Sequence, residues 1–389
     1  MPDTLPEPWP LTEEQRAVVA LSRRFAREQI RPRGREVDEA DVVTPVDIFH
    51  AAAQVGITDC MLPARYGGGG FTDVFTQCLV QEELCWGDPG IGNLMCSNGF
   101  FADPVLTLGD EDQCERWLRP LTGPRPPMTA LATTEPAAGS DAASIVTRAR
   151  RVAGGGYRIS GQKAWISNAG AAQYYVVFAK TDPSLRSAGV TAFLLERDAA
   201  GLSFGEPMRK MGQRAIVCRE MFFDEVLVPA EDRLGAEGSG FRGLMRTFDV
   251  SRVVLGAAAV GAARAAYEYA LGYARERRQF GRPILEHQAV AFRLADMATR
   301  IETARLLVHR AARALDEGAT AGVTGLAAMA KLTASEAAMF CTWGAVQTLG
   351  GWGYSREYPV EQWMRDAKLE EIEEGTSDIM RLVISRQLT

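Results

Sequence analysis

The spacing of apolar residues divides the chain into three stretches of different period. From Thr12 to about Leu121, apolar positions recur at the spacing of an amphipathic helix. Thr12 and Gln15 form a capping-box pattern at the start of the first helix, and Pro32 is predicted to end it. The first stretch is therefore predicted to be helical.

The second stretch, from Met128 to about Val228, favours short strands. Its apolar runs are rich in β-branched and aromatic residues and are separated by turns of Gly, Pro and Asp. Close spacing with few intervening helices predicts an antiparallel β-barrel or sandwich. The predicted strands are Met128–Thr134, Tyr174–Lys180, Val190–Leu195 and Arg219–Val228.

After Gly240 the helical period returns and lasts to the end of the chain. Three long apolar stripes follow one another, the second ending at Gly318 and the third at Gly350. With the shorter helical patterns behind them, they predict a C-terminal four-helix bundle. The predicted fold class is α+β, mainly α, with domains at 1–125, 126–235 and 236–389.

Composition excludes several classes of function. The 43 basic and 49 acidic residues provide no reason to expect nucleic acid or an anionic membrane as a partner. Seven scattered cysteines without a CxxC pair are typical of reduced thiols, and three histidines leave little material for a metal site. Met1–Pro6 does not resemble a signal peptide, and no apolar run is long enough to span a membrane. We expect a cytoplasmic protein without a metal.

One carboxylate stands where one helical pattern stops and the next begins, in the run Glu373-Glu374-Gly375-Thr376. Glycine lets the backbone turn sharply, and Thr376 or Ser377 is predicted to cap the next helix. A carboxylate at such a break can point into a cleft, as a general base must. A solvated acidic helix end explains the same pattern, because further glutamates crowd around Glu374.

Three upstream segments carry residues suited to a flat, phosphate-bearing ligand. A strand runs into a small-residue turn over Leu131–Asp141. Trp165, followed by the hydroxyl of Ser167, could lie over a flat ring, and the arginines around Phe280 could hold a pyrophosphate. The simpler alternatives are a plain turn, a core tryptophan and a solvated helix end.

Two further segments lie within or at the end of helical patterns. Asp249 and Arg252 are set inside an apolar helix, where burial would require partners such as a ligand's amide chain. Gly350 and Gly351 would let a ligand approach the backbone closely, although a helix C-cap explains them equally well.

Together these segments include six short sequence matches in a fixed order: Thr134–Asp141 (TEPxxGSD-like), Trp165–Asn168 (WISN), Arg277–Gly281 (RxxFG), Glu286–Ala289 (EHQA), Gln347–Gly353 (QxLGGxG) and Glu374–Thr376 (EGT). This ordered set resembles the acyl-CoA dehydrogenase family over nearly the whole chain. The resemblance implies a helical N-terminal domain, a middle β-barrel and a C-terminal four-helix bundle. It also implies noncovalent FAD and assembly as a homotetramer (a dimer of dimers) or a homodimer.

The resemblance further implies a role for each matched residue. Glu374 would remove the pro-R α-proton of an acyl thioester, while the β-hydride passes to the flavin and leaves a trans-2-enoyl thioester. The residues implied to contact FAD, those from Arg277 to Gly351 reaching the FAD of a neighbouring subunit, are Leu131, Thr133, Thr134, Gly139, Ser140, Trp165, Ser167, Arg277, Gln279, Phe280, Gln288, Gln347, Gly350, Gly351, Thr376 and Asp378. The residues implied to contact the substrate are Ser140, Asp249, Ser251, Arg252 and Gly375.

Two positions bear on the base and on the substrate. Ser251 stands where some branches of the family carry the base, which leaves Glu374 as the only candidate. Glu373 stands where many relatives carry tyrosine. If Glu373 faces the site, it implies a polar acyl group or a further raised pKa for Glu374; if it faces solvent, neither follows.

We therefore expect an FAD-dependent α,β-dehydrogenase that acts on an acyl-CoA or acyl-carrier-protein thioester, with an electron-transfer flavoprotein as its partner. An oxygen-using acyl oxidase or flavin monooxygenase on the same fold is one alternative. Glu374 favours proton abstraction over the monooxygenase. A catalytically idle FAD-binding protein is the other alternative, and the intact base and flavin-contact set argue against it.

Overall fold

A computed structural model describes residues 9–388, so the prediction that Met1–Pro6 is no targeting signal lies outside the described residues. Within them the chain is helical at first, sheet-rich in the middle and helical again at the end, which confirms the predicted order. The domain limits near residues 125 and 235 stay a prediction.

From residue 9 onwards, the first part contains seven α-helices. The capping box of the first helix is confirmed, since Thr12 Oγ1 accepts from the Gln15 amide at 3.1 Å. The predicted end of the first helix at Pro32 is wrong: α1 ends at Phe25, and a π turn and a 3-10 turn continue the helical backbone through Pro32 into the second helix. The seven are α1 (Glu13–Phe25), α2 (Gly34–Ala40), α3 (Val46–Gln54), α4 (Val74–Gly87), α5 (Pro89–Met95), α6 (Gly99–Leu108) and α7 (Glu111–Leu118).

The middle part is one mostly antiparallel sheet. Its strands are β1 (Thr129–Ala132), β2 (Arg148–Arg151), β3 (Tyr157–Ser167), β4 (Tyr174–Lys180), β5 (Val190–Glu196), β6 (Leu202–Phe204), β7 (Cys218–Val228) and β8 (Arg233–Leu234). The order is β6-β7-β3-β2-β4-β5-β8, with β1 beside β4.

Two details of this sheet differ from the predicted antiparallel barrel. Strand β4 pairs in parallel with β1 and, at one residue pair, with β2. The two ends of the path, β6 and β8, are not paired with each other among the described strands. Strand β3 was not predicted, because Gly161, Gln162 and the buried Lys163 interrupt its apolar alternation.

The last part contains three long helices and two short ones, as the apolar stripes predicted. They are α8 (Gly240–Glu276), α9 (Gln288–Asp316), α10 (Val323–Leu349), α11 (Val360–Glu370) and α12 (Ser377–Ser385). Between α8 and α9 lies a small hairpin of β9 (Arg278–Gln279) and β10 (Arg282–Pro283). Small residues let the helices approach closely: a Cβ on Gly261 of α8 would lie 2.3 Å from the Glu82 carbonyl oxygen of α4.

Three further features concern the kind of protein: membrane spans, metal-ligating groups and cysteines. No helix in residues 9–388 is long and apolar enough to cross a bilayer. No group of three or more metal-ligating side chains is arranged to hold an ion in the described part of the chain. All seven cysteines are buried and none forms a disulfide.

A buried ion network joins the first part of the chain to the last. Glu82 on α4 accepts from Arg264 of α8 at 2.8 Å and from Arg305 of α9 at 2.9 Å. Its neighbour Glu83 accepts from Arg264 and from Arg23 of α1, both at 2.7 Å. Burial alone would raise the pKa of Glu82, but the two arginines lower it to about 2.

Glu82→Gln is expected to destabilise the fold by about 3–5 kcal/mol, because it leaves buried guanidinium groups without their counter-charge. The denaturant midpoint of unfolding measures this loss. The matched control is Glu39→Gln in the exposed Arg35–Glu39 pair, which is expected to cost less than about 1 kcal/mol. Equal losses in the two variants would show that the network does not hold the parts together.

Candidate active site

Glu374 lies in the turn between α11 and α12. Its backbone is left-handed, with φ of 49°, and Gly375 follows with φ of 107°. Such a conformation is uncommon for a residue with a Cβ and persists only where its surroundings enforce it. Thr376 N-caps α12 by accepting from the Ile379 amide at 3.3 Å, which confirms the predicted cap.

Three side chains from two helices hold this turn. Arg252 Nε of α8 donates to the Glu374 carbonyl oxygen at 3.1 Å, and Lys331 Nζ of α10 donates to the Gly375 carbonyl oxygen at 2.8 Å. Ser251 Oγ, also on α8, donates to the carboxylate Oε2 of Glu374. The backbone and the carboxylate are therefore fixed separately, which gives the base candidate one orientation.

The electrostatics of Glu374 suit proton transfer near neutral pH. Burial raises the pKa of its carboxyl to about 8, although the Ser251 hydrogen bond and the charge of Arg252 act to lower it. The neighbouring Glu373 carboxylate raises it further. A carboxylate with a pKa in this range is a far stronger base than an exposed glutamate.

The segment after β1 is held by a buried ion pair. Lys163 Nζ of β3 donates to Glu135 Oε1 at 2.8 Å and to the Thr133 carbonyl oxygen at 2.9 Å. Burial lowers the pKa of Lys163 to about 8, against the opposing effect of Glu135. The hydroxyl of Thr133 is itself buried without a hydrogen-bond partner in the described structure. It is therefore free to bind a ligand atom.

The residues implied for a flavin on this sheet are placed at its surface. Trp165 has a left-handed backbone, with φ of 60°, and its side chain is 61% exposed, which excludes the core-tryptophan interpretation. Ser167 ends β3 and is exposed, as are Gly139 and Ser140 in the turn after β1. Leu131 and Thr134, on either side of Thr133, are partly buried.

A second set of implied flavin residues lies on loops and helix ends, where all members are exposed. Phe280, at the tip of the β9–β10 hairpin, is 94% exposed. No hydrogen bond or ion pair joins this set to the Glu374 turn in residues 9–388. The members are Arg277, Gln279, Phe280, Gln288, Gln347, Gly350 and Gly351. In α12, Asp378 is exposed and Thr376 is the cap described above.

Of the implied substrate residues of α8, Ser251 and Arg252 contact Glu374, and Asp249 lies one turn earlier on the same helix. Asp249 Oδ2 accepts from the Thr324 hydroxyl at 2.9 Å, while its Oδ1 is buried without a partner. Burial raises the pKa of Asp249. Gly375 is tightly packed, since a Cβ there would lie 2.6 Å from Met380 Cε.

Three residues around the Glu374 turn were not predicted from the sequence: Lys331 contacts Gly375, and Glu370, in α11 before the turn, is bonded to Asn93. Lys331 is a lone lysine in an apolar helix, and Glu370 and Asn93 sit in runs that read as ordinary helix. All three are buried. The only signal available was a charged residue inside an apolar stripe. Glu373, whose orientation the sequence left open, has its Oε1 buried rather than in solvent.

Comparison with known proteins identifies the family. Models of the acyl-CoA dehydrogenase N-terminal, middle and C-terminal domains match residues 12–123, 130–226 and 238–389. The chain is 42% identical over 380 residues to cyclohex-1-ene-1-carbonyl-CoA dehydrogenase of Geobacter metallireducens, covering 97% of this chain and 98% of that one.

Two solved structures carry the same fold over their whole length. Butyryl-CoA dehydrogenase from Megasphaera elsdenii is 38% identical, with a TM-score of 0.94 over 98% of this chain and 100% of that one. An FAD complex of PigA is 28% identical, with a TM-score of 0.92 over 98% and 99% of the two chains. With three domain models in order and a relative matched from end to end, the chain belongs to the acyl-CoA dehydrogenase family of flavoprotein oxidoreductases.

Proposed function

We propose that this acyl-CoA dehydrogenase binds FAD and converts an acyl-CoA or acyl-carrier-protein thioester to its trans-2-enoyl thioester, with Glu374 as the base. The observation that carries the proposal is the Glu374 turn: a carboxyl with a pKa of about 8, aimed by Ser251 and with its backbone held by Arg252 and Lys331. A fixed, poorly hydrated carboxylate is what α-proton abstraction requires.

In the proposed reaction, Glu374 Oε takes the pro-R α-proton and becomes a neutral acid. Ser251 stabilises the carboxylate before transfer, so its hydrogen bond sets how strong the base is. Burial removes water from the Glu374 carboxylate and so raises its pKa. The same burial therefore favours the protonated, neutral Glu374 that forms when the proton is transferred. Asp249 Oδ1, buried without a partner one turn before Arg252 on α8, offers an acceptor for an amide of the thioester's carrier arm.

The residues of the middle sheet fit a flavin. The unpartnered hydroxyl of Thr133 offers a donor and acceptor, and the exposed Trp165 ring offers a flat apolar wall. FAD, when bound, supplies the hydride acceptor for the β-carbon. We infer that Leu131, Thr134, Gly139, Ser140, Ser167, Thr376 and Asp378 complete this side of the site.

The exposed set on the β9–β10 hairpin and at the end of α10 fits a role between subunits. Phe280 leaves almost its whole ring in water within one chain, and a Cβ on Gly350 or Gly351 would meet no atom within 4 Å. We infer that these residues reach the FAD of a neighbouring chain in a homodimer or homotetramer. Electrons would then leave to an electron-transfer flavoprotein.

Glu374→Gln is expected to abolish bleaching of the flavin by thioester substrate while FAD stays bound, because the amide cannot accept the α-proton. The measurement is anaerobic flavin absorbance after mixing with a panel of acyl-CoA and acyl-carrier-protein thioesters. The loss is expected to exceed about 10³-fold. Glu371→Gln, on the neighbouring residue that pairs with Lys368, is the matched control and is expected to bleach normally.

Wild-type protein that no thioester bleaches would refute the dehydrogenase proposal and leave an idle FAD-binding protein. Reduced flavin that air reoxidises as fast as an electron-transfer flavoprotein does would identify an oxidase. If thioester fully bleaches the flavin of the Glu374→Gln variant, a residue other than Glu374 must be the base.

The rate of bleaching is expected to rise about tenfold per pH unit below about pH 8, because only the carboxylate form of Glu374 accepts a proton. Ser251→Ala removes a donor that stabilises that form, so the rising limb is expected to move to higher pH. Stopped-flow absorbance across the pH range measures both. A limb that stays in place in Ser251→Ala would show that the hydroxyl does not act on the base.

Thr133→Val is expected to weaken FAD binding by about 2–13-fold, the value of one hydrogen bond of about 0.5–1.5 kcal/mol. Valine keeps the shape and removes only the hydroxyl. Titration of the apoprotein with FAD, followed by flavin fluorescence, measures the affinity. Thr303→Val is the control, since that hydroxyl bonds only within its own helix. Unchanged affinity in Thr133→Val would remove this residue from the flavin site.

A further inference from the structure

Two carboxyl groups, each with a buried oxygen that lacks a partner, lie next to Glu374 and about one helical turn apart. Glu370 ends α11 with 1% of its surface exposed. Its Oε1 accepts from Asn93 Nδ2 at 3.1 Å and from Gln213 Nε2 at 2.8 Å. Its other oxygen, Oε2, is buried, and no donor reaches it in the described structure.

Glu373 supplies the second group. Its backbone amide donates to the Leu369 carbonyl oxygen at 3.0 Å, which keeps it in the last turn after α11. Its Oε1 is buried and, like Oε2 of Glu370, has no donor in the described structure. Two ionised carboxylates offer acceptors only, so both oxygens are satisfied together when one proton lies between them.

We propose that Glu370 and Glu373 share one proton, with Glu370 Oε2–H donating to Glu373 Oε1, and that this acid pair positions the turn that carries Glu374. The electrostatics agree with this assignment. Burial raises the pKa of Glu370 well above 4.5, and the charge of Glu373 raises it further. Burial also raises the pKa of Glu373, while Lys331 and a hydrogen bond from Glu370 oppose the rise. The two carboxyls titrate as a unit.

The charged and titratable groups around the pair favour a single negative charge on it. Lys331 approaches from α10, Lys210 from the segment before β7, and Glu374 from the following turn. The thiols of Cys85 and Cys218 are also nearby, and burial raises the pKa of both, so they stay neutral. One cation from α10 thus faces a pair that carries one charge and the carboxylate of Glu374.

The pair ties the base to all three parts of the chain. Asn93 belongs to α5, Gln213 precedes β7, and Glu370 ends the helix that leads to Glu374. A second ionisation would leave two repelling carboxylates in this space and loosen the anchor. Glu370 and Glu373 are therefore positioning residues, and their effect on Glu374 should disappear at high pH.

Glu370→Gln is the sharpest test, because glutamine copies the protonated acid: its oxygen accepts from Asn93 and Gln213, and its amide donates to Glu373. Wild-type bleaching is expected to fall again at alkaline pH, where the shared proton is lost. Glu370→Gln is expected to bleach within about tenfold of wild type at its optimum and to lack this alkaline decline. Glu371→Gln is expected to keep it.

A second measurement does not depend on the proposed reaction. Because the native pair holds its proton above pH 4.5, stability falls as pH rises towards the pKa of the folded pair. Glu370→Gln removes this group, so its thermal midpoint is expected to fall less steeply between about pH 5 and pH 8, by about one linked proton. This arm rests on the fold alone, whereas the bleaching arm rests on the proposed function.

Each result decides the matter. An unchanged alkaline decline in a Glu370→Gln protein that retains FAD would overturn the proposal, as would an unchanged pH dependence of its thermal midpoint. Loss of bleaching at every pH in that variant would also contradict it, since the hydrogen bonds are preserved. If none of the thioesters bleaches the flavin of the wild-type protein, the proposed function fails. The pH dependence of the thermal midpoint then still tests whether Glu370 and Glu373 share a proton.

Discussion

The structure of the site depends on one backbone turn held against its own preference. Glu374 and Gly375 both have a positive φ, of 49° and 107°. Their two successive carbonyl oxygens accept hydrogen bonds from Arg252 and Lys331. Those donors come from α8 and α10, which approach each other through small residues. Packing of the C-terminal helices is therefore what places two long cationic side chains under the turn, and the turn in turn aims the carboxylate.

Buried carboxylates in this chain illustrate how environment decides a carboxyl's behaviour. Glu82 meets two arginines, so its pKa falls to about 2 and it serves as a fixed charge. Glu135 meets Lys163 and two backbone amides, and its pKa is lowered despite burial. Glu374 has one hydrogen bond from a hydroxyl and the nearby charge of Arg252, and burial raises its pKa by more than these two lower it. Of these three carboxyl groups, only Glu374 has a pKa that allows it to exchange a proton near neutral pH.

The features that could be predicted from the sequence depend on residues close together in the chain, and those that could not depend on residues far apart in it. The cap at Thr376 and the helical stripes are local, and a single segment contains all their information. Glu374 was predicted to be the base because an ordered set of short segments resembles one family, and that role stays a prediction. Lys331, Glu370 and Asn93 lie 43, 4 and 281 positions away from Glu374 in the chain. A buried charge inside a helix hints at a partner without saying which, since only tertiary packing brings the partner close.

The substitution at position 373 shows why such neighbours matter. Where many members of the family carry tyrosine, a phenol brings its own donor and no charge at neutral pH. Glutamate brings acceptors and a second negative charge next to Glu374, and that charge raises the pKa of Glu374. Two features of this chain offset that cost: Lys331 supplies a cation to the same space, and Glu370 supplies an oxygen that can carry a proton. In the proposed mechanism, Glu373 is therefore compatible with proton transfer at Glu374 only together with Lys331 and Glu370, and replacing Glu373 alone would change the charge and hydrogen bonding around all three.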